Sequence, residues 1–171
     1  MIRKHKKYSR PKKLYDSVRI QDENKIVAKY GLKNKREIWK ANSKIAYFRT
    51  RAKFLIRADS EEQQIFFNKL NSIGLNVSSI AEVLALNTED LLKRRLSTVV
   101  HKKGFANSPK QARQIIVHKK IVVGEKVINI PGYFVKVSEE DSLSIRKRLL
   151  KPKELEAQKS GEKIIGVSNE N

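Results

Sequence analysis

The chain has 171 residues, 39% of them hydrophobic, and its 38 Lys and Arg against 18 Asp and Glu give a formal net charge of +20. That length suits one domain or two small ones, and that charge points to a polyanionic partner. The absence of Cys excludes disulfides and thiolate-ligated zinc, and no apolar run reaches the ~20 residues of a membrane span.

The first 13 residues, MIRKHKKYSRPKK, hold seven Lys and Arg and little to bury. They are expected to be disordered alone and to order on a polyanion. No apolar stretch follows them, so no secretory signal is expected, and a soluble intracellular protein is. Charge then segregates along the chain. Residues 1–58 carry 19 Lys and Arg against 4 acids, residues 59–92 carry 1 against 6, residues 93–137 carry 11 against 1, and the remainder balances at 7 each. A merely solubilising surface would intersperse the signs.

DENKIVAKYG (22–31) reads as a short helix with Asp22 as N-cap and Gly31 as its stop. Over 34–58 apolar residues fall at Ile38, Ala41, Ile45, Phe48, Ala52 and Leu55. This is one buried helical stripe, and Asn34 with Glu37 has the spacing of a capping box. The opposite face carries Lys35, Arg36, Lys40, Lys44, Arg49, Arg51, Lys53 and Arg57. A basic amphipathic helix can also lie on a membrane, but the Ala-containing stripe favours a protein core. Trp39, Tyr47 and Phe48 are expected in that core rather than as base-stacking platforms.

Residues 59–74 form a helix with acids in its first turn and Gly74 at its end. Residues 78–86 repeat the capping spacing through Ser79 and Glu82, and 88–104 read as one helix burying Leu92, Leu96, Val99 and Val100. Ser108 before Pro109 starts another helix, with Ala112, Ile115 and Ile116 facing inward and Lys110 and Arg113 outward. The period then drops to 2: KIVV and KVINI flank Gly124-Glu125, a pair suited to a type II′ hairpin, and YFVKV (133–137) reads as a third strand. From Ser138 the pattern weakens, and the mixed-charge end reads as a flexible tail.

No catalytic constellation stands out: there is no nucleophile elbow, no Walker lysine loop and no HExxH. Glu139, Glu140 and Asp141 read as solvated carboxylates, and His5, His101 and His118 lack metal-ligand spacing. What remains is binding chemistry. Arg94, Arg95, Lys102, Lys103, Lys110, Arg113, His118, Lys119 and Lys120 could converge on one groove, with guanidinium forks and ammonium points for phosphate. Readout by shape and phosphate suits structured RNA better than DNA.

The segment KRRLSTVVHKKGFANSPKQARQIIVHKKIVVGEKVINIPGYFVKV (93–137) resembles the RNA-binding module of the small-subunit ribosomal protein S-four family. The markers are Arg94-Arg95-Leu96, Gly104-Phe105-Ala106, Ala112-Arg113-Gln114, His118, Ile121, Pro131 and Tyr133-Phe134-Val135. KYGLKNKREIWKA (29–41) looks like the archaeal and eukaryotic branch, and the resemblance covers about residues 8–148. Three features depart from the family pattern: no N-terminal Cys cluster for zinc, Gly124-Glu125 for a usual Asn-Gly, and Lys120 for a second His.

The resemblance implies an α+β, mainly α protein: a basic N-terminal extension (1–21), a helical body (22–92), a helix–helix–hairpin module (93–148) and a tail (149–171). It implies a non-enzymatic, cytoplasmic ribosomal protein that binds a junction in the 5′ domain of small-subunit ribosomal RNA during assembly. It also implies a place near the decoding region and the path by which messenger RNA enters, beside neighbouring small-subunit proteins. No cofactor, metal, membrane or small-molecule substrate is expected. The RNA-facing set is then the nine module residues above with Lys33, Lys35, Arg36, Lys40, Arg49 and Arg51. The alternative is an RNA-binding factor using the same module outside the small subunit, in stress or assembly. An RNA-modifying enzyme would need a further catalytic domain, and a DNA-compacting protein should not prefer structured RNA.

Overall fold

The structure is a computed structural model that describes residues 7–146. Five helices build its first layer: α1 (Ser17–Tyr30), α2 (Arg36–Leu55), α3 (Ser60–Ile73), α4 (Ile80–Ala85) and α5 (Thr88–Lys93). The second unit runs α6 (Leu96–Lys102), α7 (Pro109–Val117), β1 (Ile121–Val123), β2 (Lys126–Val127), α8 (Val137–Glu140) and β3 (Leu143–Ile145).

The α2 stripe is buried at all six expected positions, Ile38, Ala41, Ile45, Phe48, Ala52 and Leu55. It packs with Phe66 and Leu70 of α3, Val83 of α4, and Leu91 and Leu92 of α5 into one core. A second core begins at Leu96 and gathers Val99 and Val100 of α6, Ala112 and Ile116 of α7, Ile121 and Val123 of β1, Val135 and Leu143. Three helix starts follow their side-chain chemistry. Ser79 and Ser108 each accept from the backbone N–H three residues on, and Asp16 does the same for α1.

Helix α1 thus begins at Ser17, not Asp22, so residues 17–21 are helical rather than part of an extension. Its buried Glu23 accepts from Arg19 (2.8 Å) and from the Trp39 indole (2.9 Å), and pins α1 to α2. The expected disorder of 1–13 holds no description for residues 1–6, which lie outside the described residues. Within 7–13, Tyr8 rests on Trp39 with ring centroids 6.0 Å apart, an aromatic contact that the charge-rich composition hid. The expected C-terminal tail also lies outside the described residues.

The helix expected over 88–104 is two. The chain breaks at Arg94–Arg95, where Arg95 takes extended backbone angles as the N-cap of α6. Leu91 and Leu92 serve the first core and Leu96 the second, so the chain must turn between them. The freed backbone groups are met elsewhere. Leu96 N–H donates to the Tyr133 carbonyl (2.8 Å), Val135 N–H donates to the Arg94 carbonyl (3.1 Å), and the Thr98 hydroxyl donates to the Leu92 carbonyl (2.9 Å).

The hairpin forms as expected: Val123 pairs with Lys126 across Gly124-Glu125, with Gly124 at φ +58°. The third strand is not 133–137. That stretch gives a single bridge, Phe134 to Arg95, because its backbone is spent closing the α5–α6 break. The sheet order is β2-β1-β3, and the other edge of β1 pairs antiparallel with β3, Val123 opposite Leu143.

Candidate nucleic-acid interface

The two units meet at Glu37, in the first turn of α2. Its carboxylate does not cap its own helix; α2 starts with no side-chain cap bond. Instead it accepts from Arg95 Nη2 (2.6 Å) and, in a fork, from Arg113 Nη1 (3.1 Å) and Nη2 (2.9 Å). Burial alone would raise the Glu37 pKa, but the hydrogen bonds and charges of Arg113 and Arg95 outweigh it and hold it below the usual carboxylate value. Arg94 is spent in the same way. Its Nε donates to the Ile73 carbonyl (2.8 Å) and its Nη2 pairs with Glu140 (2.8 Å). It crosses Gly74 (φ +85°), where a Cβ would lie 2.6 Å from its Nε.

Arg94, Arg95 and Arg113 are therefore not on an outer face as expected. A guanidinium packed at a joint needs a carboxylate, and Arg95 is only 5% exposed. Glu139 and Glu140 are correspondingly not simply solvated: Glu139 accepts from the Tyr133 hydroxyl (2.9 Å) and Glu140 holds Arg94. Two further expected contacts are braces. Lys35 lies 3.5 Å from Glu23, and Arg49 Nη2 donates to the Leu86 carbonyl (2.6 Å). Lys103 is half-buried, donating to the Glu140 carbonyl and lying 3.8 Å from Asp141.

Of the expected contacts, those that stay exposed form one group of four, two single residues and a run of three. Lys33, Arg36, Lys40 and Lys110 are exposed beside the joint, Arg36 and Lys40 flanking Glu37 on α2 and Lys110 on the helix whose Arg113 it binds. Gly31, at φ +59°, allows a close approach to α7: a Cβ there would stand 2.8 Å from the Pro109 carbonyl carbon and 2.9 Å from Lys110 N. The loop before α2 is thus seated on the first turn of α7, whose free N–H groups also favour anions. Arg51, also exposed, lies about 22 Å along α2 from Arg36, so the fold does not bring it to that group. Lys102 is exposed near the end of α6.

His118, Lys119 and Lys120 form the run, in the exposed turn between α7 and β1. Lys119 N–H donates to the Ile116 carbonyl (2.9 Å) and Lys120 N–H to the Ile115 carbonyl (3.1 Å), the Schellman closure of α7. Lys119 therefore sits at φ +58°, where glycine is the comfortable residue. Lys119→Gly is expected to stabilise the fold by about 0.5–1 kcal/mol in a urea titration. The same change should make RNA binding less salt-dependent by about 0.7–0.9 in log–log slope. Opposite signs would identify Lys119 as kept for its ammonium group.

Sequence reasoning missed the cleft between α2 and residues 130–134, about 740 Å³ in volume. Lys44 Nζ stands 3.8 Å from the Phe134 ring centroid, a cation–π contact. Burial, then Lys69, pushes its pKa down. Tyr47, expected in the core, is 64% exposed on the same wall. Residues 44 and 134 are too far apart in sequence for any local pattern to pair them. Among the described residues no helix is long and apolar enough to cross a membrane, and no cluster of three or more His, Cys, Asp or Glu could hold a metal ion.

A family model described as the S4 domain matches residues 94–141. Over 163 residues the chain is 39% identical to the small ribosomal subunit protein uS4 of Methanothermobacter thermautotrophicus, covering 92% of this chain and 95% of that one. It is 43% identical over 146 residues to the protein of the same name from Methanococcus aeolicus, covering 81% and 82%. A third, from Picrophilus torridus, is 41% identical over 148 residues, covering 81% of each.

Proposed function

The chain belongs to the small ribosomal subunit protein uS4 family, and on that premise we propose that it is a structural, non-catalytic component of the small ribosomal subunit that binds its RNA. The observation that carries this is the extent of the likeness, 92% of this chain and 95% of its relative, which takes in the helical body as well as the RNA-binding unit. A factor sharing only the module would not be expected to match over α1 to α5.

In this reading the exposed Lys33, Arg36, Lys40, Lys110, Lys102, His118, Lys119 and Lys120 meet the phosphates, with Arg51 at the margin. Arg94, Arg95, Arg113, Lys35, Arg49 and Lys103 act indirectly, by fixing the shape that presents the others. The RNA segment is a junction in the 5′ domain, and neighbouring small-subunit proteins and incoming messenger RNA lie close by. The protein works in the cytoplasm, within the ribosome. The units follow the two cores: a body through α5, and a module from the α5–α6 break onward.

The test is binding to the 5′ domain RNA across a salt series, with duplex DNA of equal charge as competitor. About ten phosphate contacts give a log–log slope near −7 to −9. Binding that survives excess DNA is the expected result. Equal competition by DNA overturns the reading, because generic charge then explains the affinity.

A further inference from the structure

We propose that the cleft between α2 and residues 130–134 is a socket for one unstacked nucleotide of single-stranded RNA. Its base would lie against Tyr47 and the Lys44–Phe134 pair, and its phosphate at Lys7 and Lys40. The proposal rests on the RNA-binding reading above and adds a base-reading element to it.

Three observations carry it. The cleft's volume, about 740 Å³, falls within the about 300–1,000 Å³ of small-ligand sites. Its wall holds five cations, Lys7, Lys40, Lys44, Arg95 and Arg113, against the single carboxylate of Glu37, already shared by both arginines. Lys7, Lys40 and Lys44 make no ion pair among the described residues. The wall is also aromatic, with Tyr47 exposed and Phe134 half-buried.

Phosphate alone would not use the aromatic side. In a duplex the base faces are covered by their neighbours, whereas an extruded or single-stranded base offers a free π-face for stacking. Lys44 already occupies one face of the Phe134 ring, so the pair sets a positive charge beside an aromatic ring on the cleft wall. Tyr47, three residues on from Lys44 and one helical turn away, supplies the second aromatic contact.

The experiment uses the full chain and two single-stranded probes of equal phosphate number: hexaadenylate and a hexamer with every base removed. Affinity is read by fluorescence anisotropy at fixed salt. Hexaadenylate should bind about tenfold more tightly than the abasic hexamer, as one stacked base provides. Tyr47→Ala should abolish that difference and leave the salt slope unchanged, since no charge is removed. Tyr47 is largely exposed, so an unchanged melting curve will show that the variant is folded. Equal binding of the two hexamers by the unaltered chain overturns the proposal. So does a base preference that persists in Tyr47→Ala, or hexaglutamate binding as tightly as hexaadenylate. None of these readouts uses ribosomal RNA, so the socket and the ribosomal reading can fail separately.

Discussion

Replacing Glu37 by alanine is expected to lower stability by about 3–5 kcal/mol, the cost of leaving a buried charge without its partner. The stranded group is Arg95, 5% exposed and with one guanidinium nitrogen already unpartnered among the described residues. Arg113 is more exposed and can turn to water; Arg95 cannot. A domain of this size has about 5–15 kcal/mol in total, so the variant should be marginal at room temperature. Glu37→Gln, which keeps an acceptor but not the charge, should lose less. Urea unfolding checks both, and a loss under 1 kcal/mol for alanine would show that the joint rests on its apolar contacts instead.

The same carboxylate sets a pH dependence. Its folded pKa lies below its ordinary value of 4.5. The stability it contributes is therefore fully present above 4.5 and is lost as pH falls through the folded value. In Glu37→Ala that part of the acid transition should be missing, which a urea series from neutral pH to pH ~3 would reveal.

The second large effect is on binding. Changing Lys33, Arg36, Lys40 and Lys110 together to glutamine removes four exposed cations beside the joint. If each neutralises one phosphate, the log–log salt slope should become shallower by about 3–4, and affinity near physiological salt should fall by about 10²–10³-fold. All four side chains are exposed and none takes part in an ion pair with a described residue, so each change should shift stability by less than ~0.5 kcal/mol. Arg95→Ala would also abolish binding, but by unfolding the joint. A melting curve beside each titration separates the two causes.

Much of the fold was legible because local rules governed it. The α2 stripe followed the helical period, Ser79 and Ser108 capped as their chemistry requires, and Gly124-Glu125 turned the hairpin. What could not be read was decided by contacts across the chain. The helical period continues unbroken through Arg94–Arg95, with no Gly or Pro to mark the stop, yet the chain breaks there because its two sides serve different cores. YFVKV has strand composition, but its backbone groups are taken by that break, and β1 finds its partner at 143–145 instead.

The candidate site divided along the same line. Positive charge was visible in composition; whether a given arginine faced a phosphate or a carboxylate depended on Glu37 and Glu140, 58 and 46 residues away from Arg95 and Arg94. A sequence this basic has few acids to spare in its basic blocks. Glu37 is the one acid of residues 24–58, and that isolation was an available sign that its charge had a specific task.

The Glu37 clasp also determines which partner changes shape. Its carboxylate and Arg95 are largely shielded from solvent, so mobile salt screens them far less than it screens the outer lysines. Ionic strength that strips RNA from the surface should leave the two units in their mutual orientation. The protein then meets its partner as a rigid template, with its cations already in register, and has little ordering left to do on binding. The rearrangement falls to the RNA, whose transient conformers are sampled until one fits. Association should accordingly quicken with any condition that prefolds the RNA, such as added magnesium, and be indifferent to how long the free protein has stood.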